Sequence, residues 1–155
     1  MQGRILRDAW QEKIKKKSFT MEAIIIAVIF YSCSGILDAV MDTLKDHFSV
    51  SVFSGLNQQY WNPAMSWKNK YVNGDPAQGH VKFDFLGLKL PFPDALSDAW
   101  HTAKILREGF NILAILSMFY VSSNFTWVTL GVTFLSLSIF RNVCFNIFYD
   151  KILRK

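Results

Sequence analysis

The sequence lacks several motifs that would assign a function directly. It contains no phosphate-cradling glycine loop, no nucleophile elbow and no groove-binding basic motif for nucleic acid. Its two cysteines, Cys33 and Cys144, lie inside apolar segments and have no partner at metal-ligand spacing. We therefore expect no cysteine-based metal site and no nucleic-acid partner, and we expect both thiols to be packed or to face lipid.

Charged residues are missing from one long part of the chain. The stretch 112–140 contains none, and the stretch 21–37 contains only Glu22, at its edge. About 20 apolar residues at 1.5 Å each cross the hydrocarbon core of a bilayer, so both stretches predict membrane spans. The second stretch is too long for one span, and its polar break at 122–124 predicts a tight turn between two antiparallel helices. The sequence thus predicts an all-α integral membrane protein with three transmembrane helices.

Basic residues are concentrated before the first span. Residues 1–17 contain six of the 17 basic residues, beside apolar residues at helical spacing that include Trp10 and Ile14. This pattern predicts an amphipathic interfacial helix and places the N-terminus in the cytoplasm, in bacterial terms at the inner membrane. It also explains the net charge of +5 without nucleic acid. A cleavable signal peptide is the main alternative, but Asp8, Glu12 and the lack of a small-x-small site oppose it.

Helical periodicity continues past Leu37 without proline, so we expect the first helix to emerge from the membrane. The segment after it is rich in aromatic residues and turn signals and predicts an irregular lid near the headgroups. Pro93 and Asp94 are suited to starting the second helix. The predicted single membrane domain, 1–155, therefore divides into an interfacial helix 1–17, helix one 18–47, the lid 48–93, helix two 94–121 and helix three 124–148.

Acidic and histidine side chains are expected to gather where the lid joins the bundle. Because the lid connects the end of helix one to the start of helix two, both ends must lie on one side of the membrane. Ionisable groups at membrane depth are functional candidates, and a mixture of Asp and His suits Zn²⁺, Mn²⁺ or Mg²⁺. The predicted ligands of a divalent metal are Asp38, Asp42, Asp98, His101 and His47. His101 and Asp98 are the predicted catalytic residues, and either His101 or a carboxylate that does not bind the metal is expected to act as general base.

Two alternatives to a metal or catalytic site stay open for this cluster. The acids can form ordinary ion pairs and helix caps, or they can line a path for an ion or a proton. The candidate substrate-binding residues are Asn69, Lys70, Trp67 and, from the depth expected along helix three, Asn146. For the lid residues among them, the alternative is an interfacial anchor in which Trp and Tyr sit at headgroup level and the lysines extend to water.

Three segments resemble a group of small bacterial membrane proteins. They are the acidic end of the first span, Asp38-Ala39-Val40-Met41-Asp42, the pattern W-N-P-x-x-S-W-x-N-K-Y over 61–71 followed by G-D-P, and D-x-W-H over 98–101. The resemblance covers about residues 20–105 and implies a membrane location, but it brings no activity.

The leading functional hypothesis is a metal-dependent hydrolase or transferase that acts on a lipid or another amphiphile at the interface. The alternative is a non-enzymatic subunit or effector that forms a homo-oligomer or binds partner membrane proteins. Small residues such as Gly35 and Gly131 would then admit close helix approach.

Overall fold

The protein is mostly helical, and one long helix organises it. The computed structural model describes residues 2–91, 96–121 and 126–155. Helix α1 spans Gln2–Asp46, 45 residues, and is followed by the lid. Helices α4, Ala99–Val121, and α5, Trp127–Ile147, each pack against α1. A π-helical turn, Phe148–Ile152, continues α5 and also contacts α1.

The structure has no helix break at the predicted division between an interfacial helix and helix one, because α1 is continuous through residues 17 and 18. No proline or glycine lies between Arg4 and Ser34 to interrupt the backbone hydrogen bonds. The change from amphipathic to apolar composition after residue 17 favours a more apolar environment for the helix, but it does not end the helix. The predicted continuation past Leu37 is confirmed, since α1 ends at Asp46.

The other two long helices start later than predicted. Helix α4 begins at Ala99 rather than at residue 94, and the predicted start at Pro93 and Asp94 falls among residues 92–95, outside the described ranges. Helix α5 begins at Trp127, and the predicted turn at 122–124 also falls outside them. The late start of α4 has a local cause: the carboxylate of Asp98 accepts a hydrogen bond from the His101 backbone N–H at 2.8 Å, so Asp98 caps this helix.

The lid is more regular than predicted. It contains two short helices, α2 at Gln58–Trp61 and α3 at Pro63–Ser66, several 3₁₀ turns, and an antiparallel hairpin of β1, Lys82–Phe85, and β2, Leu88–Pro91. Side chains start both helices: Asn57 caps α2, and Asn62 caps α3 immediately before the proline. These side-chain hydrogen bonds satisfy backbone N–H groups at the starts of the two short helices.

Small side chains fill the contacts between the long helices. Ala27, Ser34 and Ala39 of α1 are fully buried. Ala103 and Ala114 of α4 are almost fully buried. Large apolar side chains of the same helices point outward instead. Examples are Phe119 of α4 and Leu135 of α5, which are 69% and 65% exposed. The helices thus approach closely through small residues and present their larger apolar surface to the surroundings.

Two helical segments within the described ranges are long and apolar enough to cross a membrane, Met21–Asp46 and Leu130–Ile152. The predicted second span, α4, is not among them. Its first half carries Lys104, Arg107 and Glu108, which lower its apolar content. One of these charges, on Arg107, is neutralised inside the bundle, as described below.

Candidate functional site

The end of α1, the start of α4, the end of α5 and the lid meet at one end of the bundle. A single hydrophobic cluster there contains Leu44 of α1, Phe53 of the lid, Ala99 of α4 and Leu153 after α5. The backbone of the lid is joined to the C-terminal tail by two hydrogen bonds, from Val52 N–H to the Leu153 carbonyl at 2.9 Å and from Lys155 N–H to the Val50 carbonyl at 2.7 Å. These helix ends therefore lie at the same end of the bundle, as their connection through the lid predicted.

Asp38 links all three long helices. Its Oδ1 accepts a hydrogen bond from Arg107 Nη1 of α4 at 3.0 Å, and its Oδ2 accepts one from Arg141 Nη2 of α5. The Nε of Arg141 also donates to the hydroxyl of Ser34 at 3.3 Å. The side chain of Asp38 is only 16% exposed. We call Asp38, Arg107 and Arg141 the charge junction; because both carboxylate oxygens are engaged, Asp38 is poorly placed to bind a metal.

Sequence reasoning missed both arginines of the charge junction. Each is a basic residue beside a long apolar stretch: Arg141 immediately follows the uncharged segment 112–140, and Arg107 precedes it by five positions. Arg107 also pairs with its neighbour Glu108, and a charge beside an apolar stretch favours a partner inside the bundle, since an ionisable group facing lipid is unfavourable. That signal was present, although the identity of the partner depends on how the helices pack.

The five predicted metal ligands do not form one cluster. Asp42 is exposed on α1, and the ring of His47 packs against Tyr149, with centroids 5.6 Å apart. Across the part of the chain that the structure describes, no group of three or more His, Cys, Asp or Glu residues is arranged to hold a metal ion. The reason is that Asp38 turns toward the two arginines, whereas Asp98 pairs with His101. A divalent metal stays a prediction from the sequence.

The two predicted catalytic residues do form a pair. Asp98 Oδ2 lies 2.7 Å from His101 Nδ1 and also accepts a hydrogen bond from the hydroxyl of Ser97 at 3.2 Å. The side chain of Asp98 is 5% exposed and that of His101 is 31% exposed. A carboxylate only accepts hydrogen bonds, so its position assigns the proton of a neutral His101 to Nδ1 and leaves Nε2 as the basic nitrogen. We call Asp98 and His101 the dyad.

The dyad borders a cavity of about 300 Å³ between the lid and the bundle. We call this space the dyad cavity. Its remaining lining comes from Lys45 at the end of α1, Trp100 of α4 and three lid residues, Pro63, Ser66 and Trp67. Trp67, a predicted substrate-binding residue, is therefore next to the predicted base. The arrangement offers a histidine base, a cation and aromatic walls in one concave space.

The other predicted substrate-binding residues have different positions. Asn69 is a structural link: its Nδ2 donates to the carbonyl oxygens of Gln59 at 2.7 Å and Ser97 at 2.8 Å, and its Oδ1 accepts from Gln59 Nε2. This bond to Ser97 fixes the lid beside the dyad. Lys70 lies with its Nζ 5.4 Å from the centre of the Tyr71 ring. Asn146 is exposed on α5 and does not line the dyad cavity.

No protein-family model, curated protein sequence or solved structure matches this chain. The resemblance to small bacterial membrane proteins, drawn from the three motifs, therefore stays an expectation. The functional argument depends on the geometry of the dyad and its surroundings.

Proposed function

We propose that this protein is a three-span membrane protein that hydrolyses or transfers an ester-linked group of an amphiphile, with His101 as general base. The membrane part of the proposal takes α4 as the third span, beside the two apolar segments of α1 and α5. The lid and the dyad cavity would then lie at the level of the lipid headgroups. The basic residues before the first span favour an N-terminus in the bacterial cytoplasm and a lid on the opposite face.

The distribution of side chains supports the membrane location. Small residues are buried between the helices and large apolar residues are exposed, which is the pattern expected where lipid surrounds a bundle. The charge junction faces the interior, as ionisable groups do in membrane proteins. Helix α4 contains 23 residues and is about 35 Å long, sufficient for a hydrocarbon core of about 30 Å.

One observation carries the chemistry: the contact of 2.7 Å between His101 Nδ1 and the buried carboxylate of Asp98, beside a cavity. The carboxylate orients the imidazole and stabilises the positive charge that forms when Nε2 takes a proton. A helix cap alone requires only the bond to the backbone N–H, and that bond uses the other oxygen, Oδ1. The second contact is what makes His101 a candidate base.

In the proposed reaction, His101 Nε2 takes a proton from a water molecule while the oxygen of this water attacks the ester carbonyl carbon. The bond between this carbon and the ester oxygen then breaks, and the proton passes from His101 to the leaving alkoxide. The products are a carboxylic acid and an alcohol. A hydroxyl group of a second amphiphile in place of water gives transfer, and no step requires a metal ion.

The test is turnover of ester lipids by the purified protein in lipid nanodiscs. His101→Gln should lower the rate about 10²- to 10⁴-fold, the usual contribution of a general base. The matched control is His80→Gln, since His80 packs against Tyr71 in the lid and does not line the dyad cavity. Circular dichroism should show the same helical content for all three proteins. A wild-type rate no higher than that of His101→Gln would contradict the proposal.

A second candidate function, the non-enzymatic subunit, is favoured by a different observation. Helices α4 and α5 pack mainly against α1 rather than against each other, which leaves an apolar groove of about 460 Å³ between them. Tyr31 of α1, Met118 of α4 and Phe134 of α5 contribute to its lining. In this alternative the groove takes an apolar helix of a partner membrane protein. A single-copy mass in detergent and no co-purifying membrane protein would count against it.

A further inference from the structure

Lys45 is the cation of the dyad cavity. It lies in the last turn of α1 and lines the same space as Asp98 and His101. In the part of the chain that the structure describes, Lys45 forms no salt bridge. The neighbouring acids on this helix, Asp42 and Asp46, are exposed and do not line the cavity. The charge of Lys45 also acts on Asp42 through space, and its ammonium group stays able to contact a ligand in the cavity.

Two further lysines lie against the tryptophans of the dyad cavity. The Nζ of Lys104 lies 5.4 Å from the centre of the Trp100 ring, and the Nζ of Lys68 lies 5.7 Å from the centre of the Trp67 ring. Both tryptophans line the cavity. Among the described residues that line the cavity, Asp98 has the one carboxylate, and its charge is directed at His101 and the start of α4. Three lysines thus lie in or beside a cavity whose described lining has one carboxylate, an arrangement that favours anions over cations.

The walls of the cavity suit the part of a lipid next to its headgroup. Trp67, Trp100 and Pro63 provide apolar surface, and tryptophan is favoured where a membrane meets water. A volume of about 300 Å³ is at the lower end for small-molecule sites. It holds a headgroup and the adjoining ester, while the acyl chains stay in the bilayer.

Resting on the proposed function, we infer that the dyad cavity selects phospholipids with an anionic headgroup, and that Lys45 binds the phosphate. The lysine ammonium acts as a point charge with three donors toward the phosphate oxygens. Its contact places the ester between the phosphate and the acyl chain beside His101 Nε2. A headgroup that ends in a quaternary ammonium is disfavoured, because its positive charge would approach Lys45 and the lysines beside Trp67 and Trp100.

Binding tests this selection independently of turnover when the His101→Gln protein is used. The probes are short-chain phosphatidylglycerol and phosphatidylcholine with the same acyl chains, titrated in detergent and followed by tryptophan fluorescence. We expect at least tenfold tighter binding of phosphatidylglycerol, and we expect an added Lys45→Gln substitution to weaken its binding about tenfold. Lys45→Arg should retain most of the affinity, because the positive charge is kept.

Lys151→Gln is the matched control, since Lys151 is an exposed lysine of the π-helical turn and does not line the cavity. Equal affinity for the two lipids, or unchanged affinity after Lys45→Gln, would overturn the inference. Competition by inorganic phosphate at the same concentration as the lipid would show a free-phosphate site and would also overturn it. Selective binding combined with no turnover by the wild-type protein would instead contradict the proposed reaction and leave the selection standing.

Discussion

Gly35 is the position at which the helix packing can be tested with a single methyl group. It lies within α1, where a Cβ atom would overlap the backbone carbonyl oxygen of Arg141 in α5. The same Cβ would lie 2.9 Å from Arg141 Cγ and 3.1 Å from the Arg141 carbonyl carbon. Because two of these atoms belong to the backbone, a change of rotamer cannot relieve the overlap. Gly35→Ala therefore requires α5 to move away from α1.

The magnitude follows from two opposing effects. Alanine is favoured over glycine within a helix by about 0.5–1 kcal/mol, whereas overpacking a tight contact destabilises by about 1–3 kcal/mol. We expect a net loss of about 2 kcal/mol in the free energy of unfolding. The loss would be larger if the movement of α5 also separated Arg141 from Asp38.

The assay is unfolding of the purified protein in mixed micelles with increasing SDS, followed by circular dichroism. The matched controls are Gly109→Ala in α4 and Gly131→Ala in α5, since no atom of the described residues lies within 4 Å of a Cβ at either position. Both controls should equal or exceed the wild type in stability, by up to about 1 kcal/mol. If Gly35→Ala were as stable as Gly131→Ala, the close approach of α1 and α5 would be refuted.

Two other substitutions test the junction and the tail. Asp38→Asn removes the anion between two guanidinium groups and should lower the free energy of unfolding by about 3 kcal/mol in the same assay, whereas exposed Asp46→Asn should change it by less than about 0.5 kcal/mol. Equal stability of these two variants would show that the junction does not hold the helices. Leu153→Ala, at a buried position, should lower the free energy of unfolding by about 2–4 kcal/mol and speed proteolysis of the lid. Ile152→Ala, at a position that is 46% exposed, should have less effect on both. Unchanged proteolysis after Leu153→Ala would contradict the role of the tail in holding the lid.

The sequence predicted features that depend on local spacing. The extension of α1 past Leu37 followed from uninterrupted helical periodicity, and it ends one residue before the predicted position. Asp98 and His101 are three positions apart, so a helix start at Ala99 brings both side chains to the same turn. In each case neighbouring residues along the chain determine the geometry, and a single sequence contains that information.

Features that depend on how distant segments pack were not predictable in the same way. The sequence placed Asp38 among metal ligands, because nothing in its local pattern indicates that Arg107 and Arg141 reach it from two other helices. Asn69 had the appearance of a substrate-binding residue, yet its amide binds the carbonyl oxygens of Gln59, 10 positions earlier in the chain, and of Ser97, 28 positions later. In both cases a polar group expected to meet a ligand meets another part of the protein.

The account depends most directly on lipid covering the outer surface of the long helices. The measurement is labelling of single-cysteine variants by a water-soluble maleimide in nanodiscs, where both membrane faces are accessible, after Cys33 and Cys144 are replaced by serine. Leu135 of α5 and Leu88 of the lid hairpin are the same residue type and are 65% and 62% exposed. We predict rapid labelling of Leu88→Cys and protection of Leu135→Cys. Equally rapid labelling of both would show that water reaches the surface of α5 and would contradict the membrane-embedded bundle.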